Sequence, residues 1–308
     1  MSLVVALSGG VGGAKLALGL SRVLPAHELL VVCNTADDFE PFGLSVSPDI
    51  DTVMYTLAGL ANPELGWGRR DESWAFMETM AQLGGETWFR LGDRDLAVHV
   101  ERTRRLLAGE SLSAVTAEFC TRLGIGPRVV PMTDQRVRTK VRTDDGWIEF
   151  QDYFVRQQCR PVVRDLAFEG AAEARPQAEF LTALREKRLR AVVVCPSNPF
   201  ISVEPILALP GVRAALTECG APVVAVSPII GGRAVKGPTA KMMAELGLDA
   251  SAAGVAARYG DLLDGYVVDH ADSGTVPGAV AAQTLMKTIE DREALARVVL
   301  DLADRLRA

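Results

Sequence analysis

The sequence predicts an α/β fold: a Rossmann-like, doubly wound and mostly parallel sheet with an inserted subdomain of helices and a β-hairpin. Three observations carry that expectation. Short, continuously apolar runs recur along the chain, as strands covered on both faces require. The first run leads at once into a glycine-packed turn and a helix start, LSGGVGGAKLALGL at 7–20. The middle of the chain, by contrast, reads as helices followed by alternating, hairpin-like sequence.

Residues 3–7 (LVVAL) read as the first buried strand, and leucines and alanines at helical spacing over 14–24 as the first helix. Residues 29–33 (LLVVC) read as the second strand. This β-turn-α-β order opens a doubly wound sheet. The theme recurs at 191–195 (AVVVC), 222–226 (PVVAV) and 266–269 (YVVD). Each run ends in polar or Gly/Pro-rich sequence, at the sheet edge where parallel folds hold their ligands. Residues 292–306 predict a terminal amphipathic helix, with Leu295, Val298, Val299, Leu302 and Leu306 on one face. Between these, 61–125 carries helical periodicity with tryptophans and arginines. Residues 137–143 alternate, Asp144-Asp145-Gly146 turns, and 147–155 alternate back, which predicts a hairpin. The core is therefore expected from 1–60 and 185–308, with 61–184 as an inserted lid.

Composition excludes several classes. The 308 residues are 48% hydrophobic and 6% aromatic, and the net charge of −6 argues against a nucleic-acid binder. Five scattered cysteines form no CxxC pair, and His27, His99 and His270 are too dispersed for a zinc site. Isolated thiols fit a reducing cytoplasm. The first apolar run is too short for a secretory signal, and no run approaches the roughly 20 apolar residues of a membrane span.

The glycine turn fails two common patterns. Lys15 is followed by Leu16 rather than the hydroxyl of a Walker loop, and it occupies the third glycine position of the dinucleotide pattern. The physics survives. Gly9, Gly10, Gly12 and Gly13 permit positive φ and close backbone approach, and the following helix offers free N–H groups to a phosphate. The alternative is a tight turn that binds nothing. Lys15 is open to two readings, phosphate ligand or solvated helix lysine. After the second strand comes an acidic loop with Asp37, Asp38, Glu40, Asp49 and Asp51. Acids facing a phosphate cradle repel the ligand unless a cation lies between, and magnesium resolves the conflict. Asp37, Asp49 and Asp51 are the ligand candidates; Asp49 or Asp51 alternatively caps a helix beginning near Thr52. Asp38 and Glu40 are expected in solvent. Two further edge loops offer polar contacts: Ser197 and Asn198 in CPSNP, and Pro228, Gly231 and Gly232 beside Arg233 and Lys236. The second is either an anion or base pocket or a plain Pro/Gly connection. Trp88 and Phe89, with Asp93, Met132, Thr133 and Asp134, either line a pocket for a flat ring or pack in a core. His99 reads as a helix-face residue.

Taken in order, these segments resemble one family, the 2-phospho-L-lactate transferases of coenzyme F-420 biosynthesis. The matching pieces are VALSGGVGGAKLALGL (5–20), NTADDFEPFGLSVSPDIDTVMYTLAG (34–59), WFRLGDRDLAVH (88–99), MTDQRVRTKVRT (132–143), WIEFQDYFV (147–155), CPSNP (195–199), SPIIGGRAVKGP (227–238) and TLM (284–286). They span nearly the whole chain in a single order. One detail departs: other members often carry Thr in the first turn where this chain has Val11.

The resemblance implies a reaction. A guanosine-diphosphate-linked donor carries a three-carbon acid: phospholactyl, phosphoenolpyruvyl or phosphoglyceryl. The ribityl hydroxyl of the deazaflavin Fo attacks the terminal phosphate and GMP leaves. On this expectation Gly9 to Gly13 hold the diphosphate, Asp37, Asp49 and Asp51 hold magnesium, and Asp37 and Asp51 act in catalysis. Ser197, Asn198 and 228–232 contact guanosine, and Asp93, Met132, Thr133 and Asp134 face the deazaflavin. Asp51→Asn should then lower turnover by orders of magnitude with the fold intact. A homodimer is the default assembly. The competing reading is a non-enzymatic UDP-sugar-binding regulator with a related Rossmann-like core; the acidic loop, LGDRD and the hairpin favour the transferase.

Overall fold

The computed structural model describes residues 2–64, 67–235 and 237–307. Twelve strands run β1 (Leu3–Ser8), β2 (Leu29–Cys33), β3 (Arg128–Pro131), β4 (Arg138–Thr143), β5 (Gly146–Glu149), β6 (Asp165–Glu169), β7 (Leu189–Val194), β8 (Val223–Val226), β9 (Ile229–Ile230), β10 (Arg233–Ala234), β11 (Gly265–Asp269) and β12 (Val280–Ala282). Seven of them form a central sheet in the order β12-β11-β8-β7-β1-β2-β3. All pairs in it are parallel. Read outward, the chain fills β1, β2 and β3 on one side and then β7, β8, β11 and β12 on the other. This is the doubly wound order, with its reversal between β1 and β7.

The continuous apolar runs follow from two covered faces. Val4 and Ala6 of β1, Leu29 and Val31 of β2, and Ala191 and Val193 of β7 pack to one side. Their neighbours Val5, Leu7, Leu30, Val32, Val192 and Val194 pack to the other. The first layer is covered by α1 (Gly10–Val23), α2 (Pro48–Leu57) and the C-terminal helix Ile289–Arg307. Leu16 and Leu20 of α1 meet Leu295 and Val299 of that helix in one cluster. Gly19 permits the contact, because a Cβ there would lie 2.1 Å from the backbone oxygen of Arg292.

Within 61–184, α3 (Ala75–Gln82), α4 (Asp93–Leu107) and α5 (Leu112–Arg122) precede β3. β3 falls in the stretch expected to be an insertion, yet it is the edge strand of the central sheet beside β2. Its four residues, Arg128 to Pro131, are too few to give a periodic signal. The predicted hairpin is β4–β5, extended by β6 into a three-stranded antiparallel sheet. Its second arm is shorter than the alternation suggested: after Glu149 the chain coils into a π-helical turn, Asp152–Arg156. Val137, Val141, Phe150 and Tyr153 of this unit join the same apolar cluster as β1 and β7. The small sheet thus shares its core with the large one. Among the described residues no helix is long and apolar enough to cross a membrane.

The α1 contact gives a first test. Gly19→Ala should cost about 1–3 kcal/mol through overpacking against a backbone carbonyl. A melting curve matching the parent's would show that the two helices separate at little cost.

Candidate active site

Where the strand order reverses, the loops leaving β1 and β7 meet. Much of the glycine signal turns out to be packing between them. The Ser197 hydroxyl donates to the Gly9 carbonyl at 2.8 Å and lies 3.1 Å from the Gly9 nitrogen. A Cβ on Gly12 would lie 2.2 Å from the Pro196 oxygen; one on Gly13 would lie 2.5 and 2.7 Å from the Ser8 and Ser197 hydroxyls. Gly9 is equally crowded, 2.4 Å from the Ser202 Cβ. Gly10 has φ +62°, the left-handed region glycine adopts freely, and it heads α1.

That helix terminus already holds an anion from the chain itself. The Gly10 N–H donates to Asp49 Oδ1 at 2.6 Å. A carboxylate is the natural partner of an N-terminal N–H. The other Asp49 oxygen accepts from Asn34 Nδ2 at 2.9 Å, and Asn34 also donates to the Ile201 carbonyl. What remains for a ligand at this turn is the half-buried start of α1 at Val11 and Gly12. Lys15 lies one turn further along, with its ammonium on the Met286 carbonyl at 2.9 Å.

Asp37 accepts from the Thr139 hydroxyl at 3.2 Å, and its carbonyl accepts from Gln151 Nε2 at 2.9 Å. Thr139 lies on β4 and Gln151 just after β5. Burial, then the charge of Asp49, pushes the Asp37 carboxyl well above the carboxylate range. Burial likewise pushes Asp49 up to about 6. Among the described residues neither forms an ion pair. Two buried oxygen-donor groups that repel each other suit a hard divalent cation, which takes one or two carboxylates and completes its shell with phosphate and water. Among the described residues no set of three acidic, histidine or cysteine side chains forms a fuller cage.

Asp51 does not join the pair. It lies two residues after Asp49 on α2, about 200° around the helix. There it makes a bidentate ion pair with Arg102 of α4, which is 1% exposed. His99, on the buried face of α4, places its Nε2 3.2 Å from Asp95, which accepts from the Tyr55 hydroxyl at 2.6 Å. Asp51 is thus a structural charge joining α2 to α4, a correction to its expected role in metal binding and catalysis. Asp38, expected in solvent, is buried against the Ser47 hydroxyl at 2.7 Å. Burial raises it to about 8, although Ser47, Arg138 and Arg102 pull the other way. Glu40 pairs with Arg138.

Beside Asp37 opens a groove of about 340 Å³. Phe39, Phe42, Trp88 and Phe150 line it together with Asp38, Arg136, Arg138, Gln151 and Arg156. Phe39, Trp88 and Phe89 pack edge to face or tilted, and the Arg156 guanidinium lies 5.6 Å from the Trp88 ring centre. Of the residues expected to line a flat-ring pocket, Trp88 lines this groove and four others lie elsewhere. Asp93 caps α3 through the N–H groups of Ala75 and Phe76. Met132 is fully buried in the core, Thr133 binds the Arg175 carbonyl, and Asp134 holds the start of α5 at Ser113. Phe39, Arg138, Thr139 and Gln151 were missed, because what unites them is tertiary proximity. A second cavity of about 360 Å³ lies at the opposite strand ends, where Arg128 and Arg188 are already paired with Glu179 and Glu186.

On the β7 side, Asn198 is a cap, its Oδ1 accepting from Phe200 and Ile201. The Ser197 hydroxyl is held by Gly9, while Asn198 keeps an amide nitrogen whose one contact among the described residues is the Met242 sulfur at 3.8 Å. Further along, Pro228 starts a loop in which Gly231 and Gly232 have φ +55° and +73°. The Gly231 N–H donates to Asp272 at 2.9 Å. Arg233 is exposed, and Lys236 lies outside the described residues.

Comparison with known proteins decides between the two functional classes. The model of the family 2-phospho-L-lactate transferase CofD matches residues 4–304. The chain belongs to this family. It is 43% identical to the phosphoenolpyruvate transferase of Streptomyces griseus, covering 99% of each chain. Its identity to the enzyme of that name from Thermobifida fusca is 40%, over 99% of this chain and 98% of the relative. The Mycobacterium tuberculosis counterpart is 38% identical over 96% of each. A crystal structure of a UPF0052 family protein from Bacillus halodurans superposes with TM-score 0.61 at 15% identity, over 97% of this chain and 100% of that one. The last likeness concerns the fold alone. CofD membership makes the protein a transferase, and the non-enzymatic alternative falls.

Two tests follow from the charges. Asp51→Asn should destabilise the fold by about 3–5 kcal/mol, since it strands Arg102 in the interior. A large drop in turnover at unchanged melting temperature would restore Asp51 to the chemistry. Asp38 and Asp49 are raised above the ordinary carboxylate value near 4, so the fold favours their protonated forms. Their contribution is full below about pH 4 and is lost as pH rises through about 6 and 8. In chelator, the melting temperature of Asp38→Asn should therefore fall less than the parent's between pH 5 and 8; equal slopes would contradict the burial of Asp38.

Proposed function

We propose that this transferase moves a phosphoenolpyruvyl group from a guanosine-diphosphate-linked donor to the ribityl hydroxyl of the deazaflavin Fo. GMP leaves, and the product is a precursor of coenzyme F-420. The observation that carries this reading is the placement of Asp37 and Asp49, two buried carboxylates that form no ion pair among the described residues, between the glycine turn and the aromatic groove. The choice of phosphoenolpyruvyl over the other two acids rests on the names borne by the relatives.

Transfer of this kind is mainly positioning and charge stabilisation. The start of α1 offers its N–H groups to the diphosphate. The groove holds the flat ring between Phe39, Trp88 and Phe150, with the ribityl chain running toward Asp37. Thr139 and Gln151 fix Asp37, while Gly10 and Asn34 fix Asp49, so neither has to reorganise during the reaction. Magnesium, held by Asp37 and Asp49, would supply neutralisation of the phosphate charge. The attacking hydroxyl forms its bond to phosphorus as the bond to the GMP oxygen breaks, and its proton passes to the departing GMP phosphate.

The deciding experiment mixes purified protein with Fo, magnesium and each of the three guanylated donors, with product and GMP read by mass spectrometry. Turnover with the phosphoenolpyruvyl donor is expected, and Asp37→Asn or Asp49→Asn should lower it by on the order of 10³. Turnover only with another acid would move the donor assignment. No product from any donor would remove the reading.

A further inference from the structure

The two sides of the strand reversal differ in what they can hold. On the β2 side, Asp37, Asp38 and the aromatic groove face one substrate. If the donor's phosphates lie at the start of α1, its nucleoside must run the other way, across the ends of β8 and β11. Most polar side chains there are used internally. The Ser227 hydroxyl binds Ile229, Asn198 caps its own turn, and Asp269 accepts from Ala271 and Thr284. Asp272, at the end of the turn after β11, differs. It is 6% exposed, and one oxygen accepts from the Gly231 N–H at 2.9 Å. Its other oxygen makes no hydrogen bond or ion pair among the described residues and is not sealed from solvent. A nearly buried carboxylate with a free, reachable oxygen beside a left-handed glycine pair is an acceptor awaiting a donor.

We propose that Asp272 selects the nucleobase, accepting from the N1–H and 2-amino edge of guanine. The inference rests on the guanylated-donor reading above. Guanine presents two adjacent donors along that edge, which a carboxylate oxygen can accept; adenine presents a ring acceptor in place of the N1–H and is repelled. Gly231 matters because its N–H anchors Asp272 and its φ of +55° brings the loop backbone to the carboxylate.

The test is calorimetric binding of GDP, IDP, XDP and ADP, with magnesium present. The unmodified protein should bind GDP about tenfold tighter than IDP, which lacks the 2-amino group, and should reject ADP. Asp272→Asn keeps an oxygen for the Gly231 N–H and turns the free acceptor into a donor. It should lose on the order of 30-fold in GDP affinity. It should also gain XDP, whose base carries a carbonyl where guanine has the amino group. Equal GDP and IDP affinity in the unmodified protein overturns the inference without any variant. So does an Asp272→Asn protein that binds GDP normally or loses GDP and IDP alike without gaining XDP, the latter meaning that Asp272 only shapes the loop. Those outcomes leave the transferase reading standing. Failure of the unmodified protein to bind any of the nucleotides removes both.

Discussion

The Asp49 carboxylate on the Gly10 N–H is the contact on which the site depends. One side chain, from the first turn of α2, touches the start of α1 and, through Asn34, the end of β2. It thereby ties together the three segments that any ligand at this edge must meet. The same contact puts a negative charge where an isolated glycine turn would receive a phosphate. A phosphate and Asp49 can share that space only with positive charge between them. The conflict inferred from the bare sequence, acids facing an anion cradle, is thus present in the fold at a single hydrogen bond.

The four aspartates of this region do three different jobs, and the backbone sorts them. Asp49 and Asp51 are separated by a little over half a helical turn, so one faces the sheet edge and the other faces α4. Asp51 meets a buried arginine and is consumed by it. Asp37 and Asp38 are neighbours on an irregular stretch after β2 and also diverge. Asp37 meets Thr139 from the small sheet, and Asp38 meets Ser47 just before α2. Burial without a cation is costly for a carboxylate, which is why Asp37, Asp38 and Asp49 are all raised. Asp51 instead meets the Arg102 guanidinium directly.

The fold was legible because its signals are local. A strand covered on both faces must be apolar throughout, and 3–7, 29–33, 191–195, 222–226 and 266–269 all proved to be strands or to contain them. β3 and β12 escaped because four and three residues are too short to distinguish from a loop. The site was legible only as a neighbourhood. Acid residues after the second strand, aromatics near 88 and the loops after β7 and β8 could be named. Which acid faces which loop could not, since Arg102 lies 51 residues from Asp51 in sequence and Thr139 lies 102 from Asp37. The glycines misled in a more instructive way. Close approach to a ligand and close approach to Pro196 and Ser202 leave the same residue in the sequence.

The small sheet has a role that its separate antiparallel topology conceals. Thr139 donates its backbone N–H to Ala36 at 2.7 Å and its hydroxyl to Asp37, while Gln151 donates to the Asp37 carbonyl. Three hydrogen bonds from this unit therefore converge on two adjacent residues, Ala36 and Asp37. Its apolar residues continue the core under β1 and β7 rather than closing a core of their own. A hinged lid would need few buried contacts at its base, and this unit has the opposite. It is better understood as the fixed second wall of the groove. The aromatic segment around Trp88 meets this wall through Arg156, paired with Glu86 and lying over the Trp88 ring, and meets the acidic loop through Phe39. The groove is thus walled by two segments that both rest on the acidic loop, and the hydrogen bonds beneath Asp37 hold its carboxylate at their junction.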